Sequence, residues 1–378
     1  MTGWRPRVAI IGTGGIARVH VRLIRELGGE LVAVCGRTQS AASAFGQAEA
    51  HDDPARMVRK LAPDIVHVCS PHHLHAAHSI TALSGGAHVL CEKPMATSID
   101  DAQRMIDAAE QAGRVGAVAY TYRGYPLIEV LRAKVAAGAF GRLRRAGGCY
   151  LSQDVLAADK YVWMFSPGTS GRSYALMDLG VHWLDLVEFV SGQRIVELSA
   201  QFSTHQPERV WRGAAGEGAE PPGFRVEDGG VRVRHALEEQ ADLLIRLDNG
   251  AAGSVTVSGV SPGHPNTIRL SFDGSERGAD WDQQDPNVWV ERSNVGNTVH
   301  QRAPEDLPPD LAWMSMLPAG HAEGYVDAFR NVVRQCWSAM RGDASGCPRF
   351  SDGLRGVRLI EAAVQSATSQ RMVALTGL

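Results

Sequence analysis

Long apolar runs are missing from this sequence. None approaches the ~18 residues that cross a bilayer, so no membrane partner is expected. Charge of one sign is missing too: 38 Lys and Arg stand against 41 Asp and Glu, a formal net charge of -3. That balance gives no electrostatic reason to bind nucleic acid or an anionic surface. Cysteine is scarce for the length, six in 378 residues with no C-x-x-C spacing, which excludes a disulfide framework. Cys35, Cys69 and Cys91 each close an apolar run and read as small apolar residues at strand ends. No internal repeat is present.

What is there is ordinary for a soluble globular protein, with 44% hydrophobic and 21% charged residues. A chain of 378 residues is too long for one core, so two domains are expected, 1–122 and 123–378. The N-terminal apolar segment runs straight into a glycine loop. It reads as a first strand rather than a signal peptide, and a cytoplasmic protein is expected.

From Arg7 to Tyr120, apolar runs at Val8–Ile11, Leu31–Cys35, Ile65–Cys69, Ala87–Leu90 and Val115–Ala119 alternate with helical stretches. The helical stretches are Ile16–Leu27, Ala41–Phe45, Leu74–Leu83 and Asp100–Gln111. That alternation implies right-handed crossovers and a doubly wound parallel Rossmann sheet. Beyond Tyr120 the pattern predicts an α+β domain with an open, largely antiparallel sheet. Its clearest mark is Ala241–Leu247, Asp248-Asn249-Gly250, Ala251–Ser258, a hairpin with Leu243, Ile245 and Leu247 on one face. The Gly/Pro-rich stretch from Gln206 to His235 reads as a long exposed loop. Helices are predicted at Leu127–Ala137, Ser173–Ser191, His321–Met340 and Ser351–Ser369, then a strand-like Met372–Leu375.

Gly12-Thr13-Gly14-Gly15-Ile16-Ala17 follows a strand and opens a helix. Gly12 permits the tight turn, Gly14 lets backbone approach a pyrophosphate, and Ala17 allows close helix–strand packing. The helix N-terminus offers N–H groups and a positive dipole end to phosphates. The second strand ends Cys35-Gly36-Arg37-Thr38, without the acid expected to hold a ribose diol. A guanidinium and a hydroxyl suit a 2′-phosphate, which favours NADP slightly over NAD. Stacking of Arg37 on adenine would serve either cofactor.

His67, His72, His73, His75 and His78 invite a metal reading, since His72, His75 and His78 could line one helix face. A nearby thiol or carboxylate set is lacking, so no metal is expected. The competing reading turns Ser70-Pro71-His72 over a nicotinamide ribose, with His75 opening the next helix. Cys91-Glu92-Lys93-Pro94 ends the fourth strand of the series at the sheet edge where ligands of open α/β sheets bind. Lys93 there is a candidate catalytic lysine facing a cofactor. On the helix Ser173–Ser191, Asp178, His182 and Asp185 fall on one face. An imidazole suits proton transfer from an alcohol, Asp178 could bind a neighbouring hydroxyl, and Asp185 could orient the ring. A satisfied core histidine is the competing reading of His182.

The ordered run GTGGIA, SPHHLH, CEKP and Asp178-Leu-Gly-Val-His182-Trp-Leu-Asp185 resembles the glucose–fructose oxidoreductase / inositol dehydrogenase / MocA-like (Gfo/Idh/MocA) family over nearly the whole chain. The segments Gly320–Phe329 and Phe350–Arg355 are similar to its sugar dehydrogenase-like members. The resemblance implies that Lys93 contacts substrate and nicotinamide, that Glu92 is a cofactor contact, and that Asp178 and His182 form the family's Asp-x-x-x-His pair. It also implies a cis peptide before the proline. Arg123, Tyr161, Trp163 and Arg172 are candidate substrate contacts, with Trp163 open to a plain core role. Gly168-Thr-Ser-Gly-Arg172 departs from the glycine run of many relatives.

The reading is therefore an NAD(P)-dependent dehydrogenase. It would move hydride between nicotinamide and a ring hydroxyl or ketone of a sugar, glycoside or cyclic polyol, as a homodimer or homotetramer. A non-catalytic dinucleotide sensor and an NAD-dependent glycosidase are the alternatives on this fold.

Overall fold

A computed structural model describes residues 3–213, 224–226, 229–343 and 346–375. The chain divides into two compact units. The first comprises residues 1–121 with 329–357, and the second 122–328 with 358–378.

The first unit is built on six parallel strands: β1 Arg7–Ile11, β2 Glu30–Cys35, β3 Glu49–His51, β4 Ile65–Val68, β5 His88–Cys91 and β6 Gly116–Val118. Their order is β3-β2-β1-β4-β5-β6, the doubly wound arrangement that the alternating pattern predicts. Every residue of β4 is buried and β5 nearly so, as expected of strands covered on both faces. β3 was not among the predicted strands. Its sequence Glu-Ala-His has no apolar run, and it is recruited by pairing with Ala33, Val34 and Cys35 of β2. The connecting helices start on capped turns: Asp53 accepts from Arg56 N at 3.0 Å and Ser98 from Asp101 N at 3.1 Å. β1 lies between β2 and β4, so the chain reverses direction across the sheet there. That is the switch point at which open α/β sheets bind ligands.

The second unit carries a nine-stranded sheet among the described residues. Its strands are β7 Arg145–Leu151, β8 Ile195–Ser203, β12 Gln240–Leu247, β13 Ala252–Ser258, β14 Thr267–Asp273, β15 Gly278–Asp282, β16 Val288–Ser293, β17 Gly296–Gln301 and β18 Val373–Ala374. They are ordered β17-β16-β15-β14-β7-β13-β12-β8-β18. β7 and β13 run parallel and the other neighbours antiparallel. The predicted hairpin is β12–β13, and Leu243, Ile245 and Leu247 are buried while Leu244 is 60% exposed.

One face of this sheet receives the helix Val181–Ser191. Trp183 Nε1 donates to Arg269 O at 2.9 Å, and a Cβ on Gly148 would sit 2.6 Å from that same nitrogen. Only glycine on β7 leaves room for the indole. The predicted helix Ser173–Ser191, with a soft break expected at Gly180, is a wider π turn over Leu176–Gly180 that continues as the α-helix Val181–Ser191. The predicted helix from His321 begins at Tyr325. Upstream, the Glu323 carboxylate binds Met316 N and Leu317 N, at 2.6 and 2.8 Å, which holds the chain in a loop.

The stretch read as a long loop contains a small three-stranded sheet in its described part: β9 Glu208–Trp211, β10 Phe224–Arg225 and β11 Val231–Arg234. Buried Arg209 anchors it through ion pairing with buried Glu239. Residues 214–223, which carry most of the Gly/Pro run, lie outside the described residues.

Candidate active site

Three strand ends of the first unit meet at the switch point. Gly12 follows β1, Ser70 follows β4, and Glu92-Lys93 follows β5. Gly12 has φ +125, and a Cβ there would lie 2.3 Å from Cys69 O and 2.8 Å from Ser70 N. The residue must therefore be glycine for two independent reasons. Its N–H donates to Cys35 O at 2.8 Å, tying the loop to the end of β2. Gly14 and Gly15 are exposed, and a Cβ on either would meet nothing within 4 Å. No side chain caps the helix Gly15–Glu26. Its N-terminal N–H groups thus open onto free space, as an anion-binding helix start requires. Ala17 is fully buried, Ile16 half-buried, and Thr13 Cγ2 packs where a Cβ on Gly36 would be.

Arg37 is exposed at the end of β2. Thr38 Oγ1 accepts from Ala41 N at 3.2 Å as the cap of the helix Gln39–Ser43. The hydroxyl read as a phosphate contact thus also carries a structural task.

His72 and His73 form a 3-10 turn and the α-helix starts at His75, and the His72 and His75 rings lie 5.7 Å apart. His75 is fully buried, with Nδ1 2.7 Å from Pro94 O and Nε2 2.7 Å from Ser70 O. Its ring straps the turn after β4 to the turn after β5, and both ring nitrogens are engaged by backbone. Burial lowers its pKa, while the two carbonyls and Glu92 act the other way. His78 Nδ1 lies 2.9 Å from Ser70 Oγ, and burial brings its pKa down to about 4. His72 is 6% exposed and is held well below the usual imidazole range by burial, then by the charges of His75 and Lys93. No group of three or more His, Cys, Asp or Glu among the described residues is placed to hold a metal ion.

Glu92 is 8% exposed and Lys93 half-buried, and the Lys93–Pro94 peptide is cis. Glu92 Oε2 accepts from Lys93 N at 3.2 Å and Oε1 lies 2.9 Å from His20 Nε2.

In the second unit, His182 is buried at the start of the helix Val181–Ser191, with its ring edge-on to Tyr122 at 4.8 Å between centroids. Tyr122 and Tyr150 hydroxyls lie 2.9 Å apart. Tyr150 Oη donates to Asn266 Oδ1 at 2.7 Å, and Asn266 Nδ2 donates to Tyr122 Oη at 3.0 Å. Burial first, then Tyr122, holds the Tyr150 pKa well above the phenol range, so that phenol stays protonated. The charge of Asp178, on the π turn, raises both Tyr150 and Tyr174 further.

The Asp185 carboxylate takes a two-pronged hydrogen bond from Arg123, at 2.8 and 2.5 Å. Arg172 is likewise engaged, by Glu361 at 2.8 Å. Tyr161 is buried against Phe165, and the Trp163 carbonyl accepts from Thr169 Oγ1 at 2.6 Å.

Comparison with known proteins bears on this arrangement. A family profile described as an oxidoreductase family with an NAD-binding Rossmann fold matches residues 6–120, and the Gfo/Idh/MocA C-terminal domain matches residues 128–279. The chain belongs to the Gfo/Idh/MocA oxidoreductase family. Levoglucosan dehydrogenase of Pseudarthrobacter phenanthrenivorans is 27% identical, over 93% of this chain and 88% of that protein. D-glucoside 3-dehydrogenase of Escherichia coli is 34% identical over 51% of this chain and 56% of its own length. Among solved structures, an inositol dehydrogenase homologue from Azotobacter vinelandii complexed with NAD+ is similar with a TM-score of 0.85. The two are 25% identical, and 98% of each chain is covered.

Within this Gfo/Idh/MocA chain, four residues of the two clusters escaped the sequence reading: His20, Tyr122, Tyr150 and Asn266. Tyr122 is the chain neighbour of Arg123. Tyr150 and Asn266 sit 116 residues apart, and only the pairing of β7 with β14 brings them together. No local signal marks them.

Proposed function

We propose that this protein is an NAD(P)-dependent dehydrogenase acting on a ring hydroxyl of a sugar, glycoside or cyclic polyol. The observation that carries the reading is the convergence of the Gly12–Ala17 loop, the Ser70 turn and Glu92-Lys93 on the carboxyl ends of the adjacent strands β1, β4 and β5. Relatives named as dehydrogenases of levoglucosan and D-glucoside support the substrate class. The unit around 1–122 serves as the NAD(P)-binding domain, and 123–378 as the substrate and oligomerisation domain. The open sheet of the latter joins copies into a homodimer or homotetramer in the cytoplasm.

Thr13, Gly14, Gly15 and Ile16 present backbone N–H groups to the pyrophosphate, and Arg37 with Thr38 favours a 2′-phosphate slightly. Ser70, His72 and Glu92 line the nicotinamide side, with His75 bracing the two turns they stand on. The bound nicotinamide supplies the hydride acceptor. His182 accepts the proton of the substrate hydroxyl, and the Tyr122–Tyr150–Asn266 triangle fixes its ring. Lys93, positively charged, stabilises the oxygen as negative charge develops, while Asp178 binds a neighbouring hydroxyl. Tyr161 and Trp163 face the sugar with apolar surface. Arg123 and Arg172 shape the site through their partners Asp185 and Glu361.

A panel of sugars, glycosides and cyclic polyols with NAD and NADP, followed by absorbance of reduced nicotinamide, tests this reading. Turnover of at least one member is expected. Tight cofactor binding with no reduction by any member would point to a sensor instead.

A further inference from the structure

Two imidazoles stand in the core of the first unit, where the neighbouring strand residues are apolar. His20 and His67 are both 0% exposed. Their Nδ1 atoms face each other at 2.8 Å. His20 Nε2 is 2.9 Å from Glu92 Oε1, and Trp337 Nε1 is 3.1 Å from His67 Nε2. All four ring nitrogens are thus within hydrogen-bond distance of a partner.

The proton positions follow from chemistry at the end of this chain. An indole N–H only donates. His67 Nε2 must therefore accept, which puts the His67 proton on Nδ1. That proton points at His20 Nδ1, which must accept in turn, and so the His20 proton sits on Nε2 and is given to Glu92. A second proton on either ring would set two donors face to face across 2.8 Å, or across the indole contact. We propose that Trp337 fixes the polarity of a buried Trp337–His67–His20–Glu92 chain that keeps both imidazoles neutral, making these three residues positioning residues for the Glu92–Lys93 turn.

The surroundings are consistent with this arrangement. Burial above all holds the His67 pKa well below the usual range. Phe329 packs edge-on against His20 at 4.9 Å, and Trp4 edge-on against Trp337 at 6.4 Å. The other titratable groups acting on Glu92 are His75, Cys69 and Cys91, besides adjacent Lys93. Burial pushes both thiols up and His75 down.

The consequence rests on the function proposed above. With both carboxylate oxygens pinned, one by His20 and one by Lys93 N–H, Glu92 keeps its negative charge beside the nicotinamide. That charge favours the oxidised, cationic ring over the reduced, neutral one. Removing the indole donor frees His67 to accept at Nδ1. His20 can then hold a proton on each nitrogen and neutralise Glu92.

Nitrogen-15 NMR of the histidine rings in the wild-type protein tests the proton arrangement with no variant needed for the readout. Expected are Nδ1–H on His67 and Nε2–H on His20, unchanged from pH 6 to 8, with assignment by His67→Gln. A proton on His67 Nε2, or a doubly protonated ring in that range, overturns the proposal. The positioning role is read from the ratio of NAD+ to NADH affinity. In wild type it should stay flat from pH 8 to 6, while in Trp337→Phe it should fall about tenfold. His67→Leu, which also frees His20 Nδ1, should show the same fall if Trp337→Phe does not fold. A flat ratio in a folded variant overturns the positioning role. Failure of the wild type to bind either cofactor overturns the proposed function instead, and the NMR result still decides the proton arrangement.

Discussion

The Asp185 carboxylate receives both prongs of the Arg123 guanidinium, Nε on Oδ2 at 2.8 Å and Nη2 on Oδ1 at 2.5 Å, with both side chains under a tenth exposed. Phe189 covers the guanidinium from one face at 4.5 Å. Asp185→Asn would strip one buried charge of its counter-ion, a change that costs ~3–5 kcal/mol in comparable buried pairs. The expected result is a lower urea midpoint with an unchanged slope.

Lys93 and His182 carry the proposed chemistry, and their removal should spare the cofactor site. Lys93→Met keeps the stem and its packing. It and His182→Ala should each lower kcat by ~10²–10⁴. If both act on one oxygen, the double variant should be hardly slower than the poorer single one. Stopped-flow turnover with cofactor affinity measured in parallel checks this. Near-normal turnover in folded Lys93→Met would remove the catalytic role.

Gly12 and Gly14 should respond differently to the same substitution. Gly12→Ala drives a Cβ into the backbone at Cys69 from a left-handed φ, and should lose ~1–3 kcal/mol of stability or more. Gly14→Ala adds a methyl to open space at an ordinary φ of -74, so thermal stability should hold while cofactor affinity drops. Equal melting temperatures for the two variants would contradict this assignment.

Arg37→Ala should weaken NADP far more than NAD, by the ~1.5–3 kcal/mol of a charge-assisted hydrogen bond. Titration of both cofactors against both proteins gives the answer. Equal losses would leave Arg37 as an adenine-stacking residue.

Glu238 and Glu239 are neighbours with opposite electrostatics. Burial pushes Glu238 up to about 7 against hydrogen bonds from Ser173 and Ala175 N. Glu239 is also buried, yet donors from His235, Arg209, His205 N and Gln206 N bring it down to about 2. A carboxyl whose folded pKa is raised stabilises the fold below its unfolded value of 4.5 and loses that contribution as pH climbs through about 7. Glu238→Gln keeps the acceptor oxygen and removes the titration. Between pH 5 and 7.5 the wild type should lose about 2 kcal/mol relative to this variant. Parallel denaturation curves across that range would discount the buried acid.

Much of this protein is written locally. The strand–glycine–helix run at Val8–Ala17 and the repeating β/α pattern reach the Rossmann sheet without tertiary information, because burial on both faces imposes a continuous apolar run on each central strand. The β12–β13 hairpin is equally legible, since its turn chemistry and alternation act over a few residues. Glu92-Lys93 and the Asp178–His182 pair stand out for the same reason: the residues are adjacent, or one helical turn apart. What the sequence could not reveal depends on partners far along the chain. Arg123 meets Asp185 across 62 residues, Tyr150 meets Asn266 across 116, and His67 meets Trp337 across 270. β3 exists only because β2 offers it an edge. A side chain's spacing fixes which face it takes, but which donor it meets on that face is decided only when the core closes, since a buried polar group left without a partner costs too much to persist.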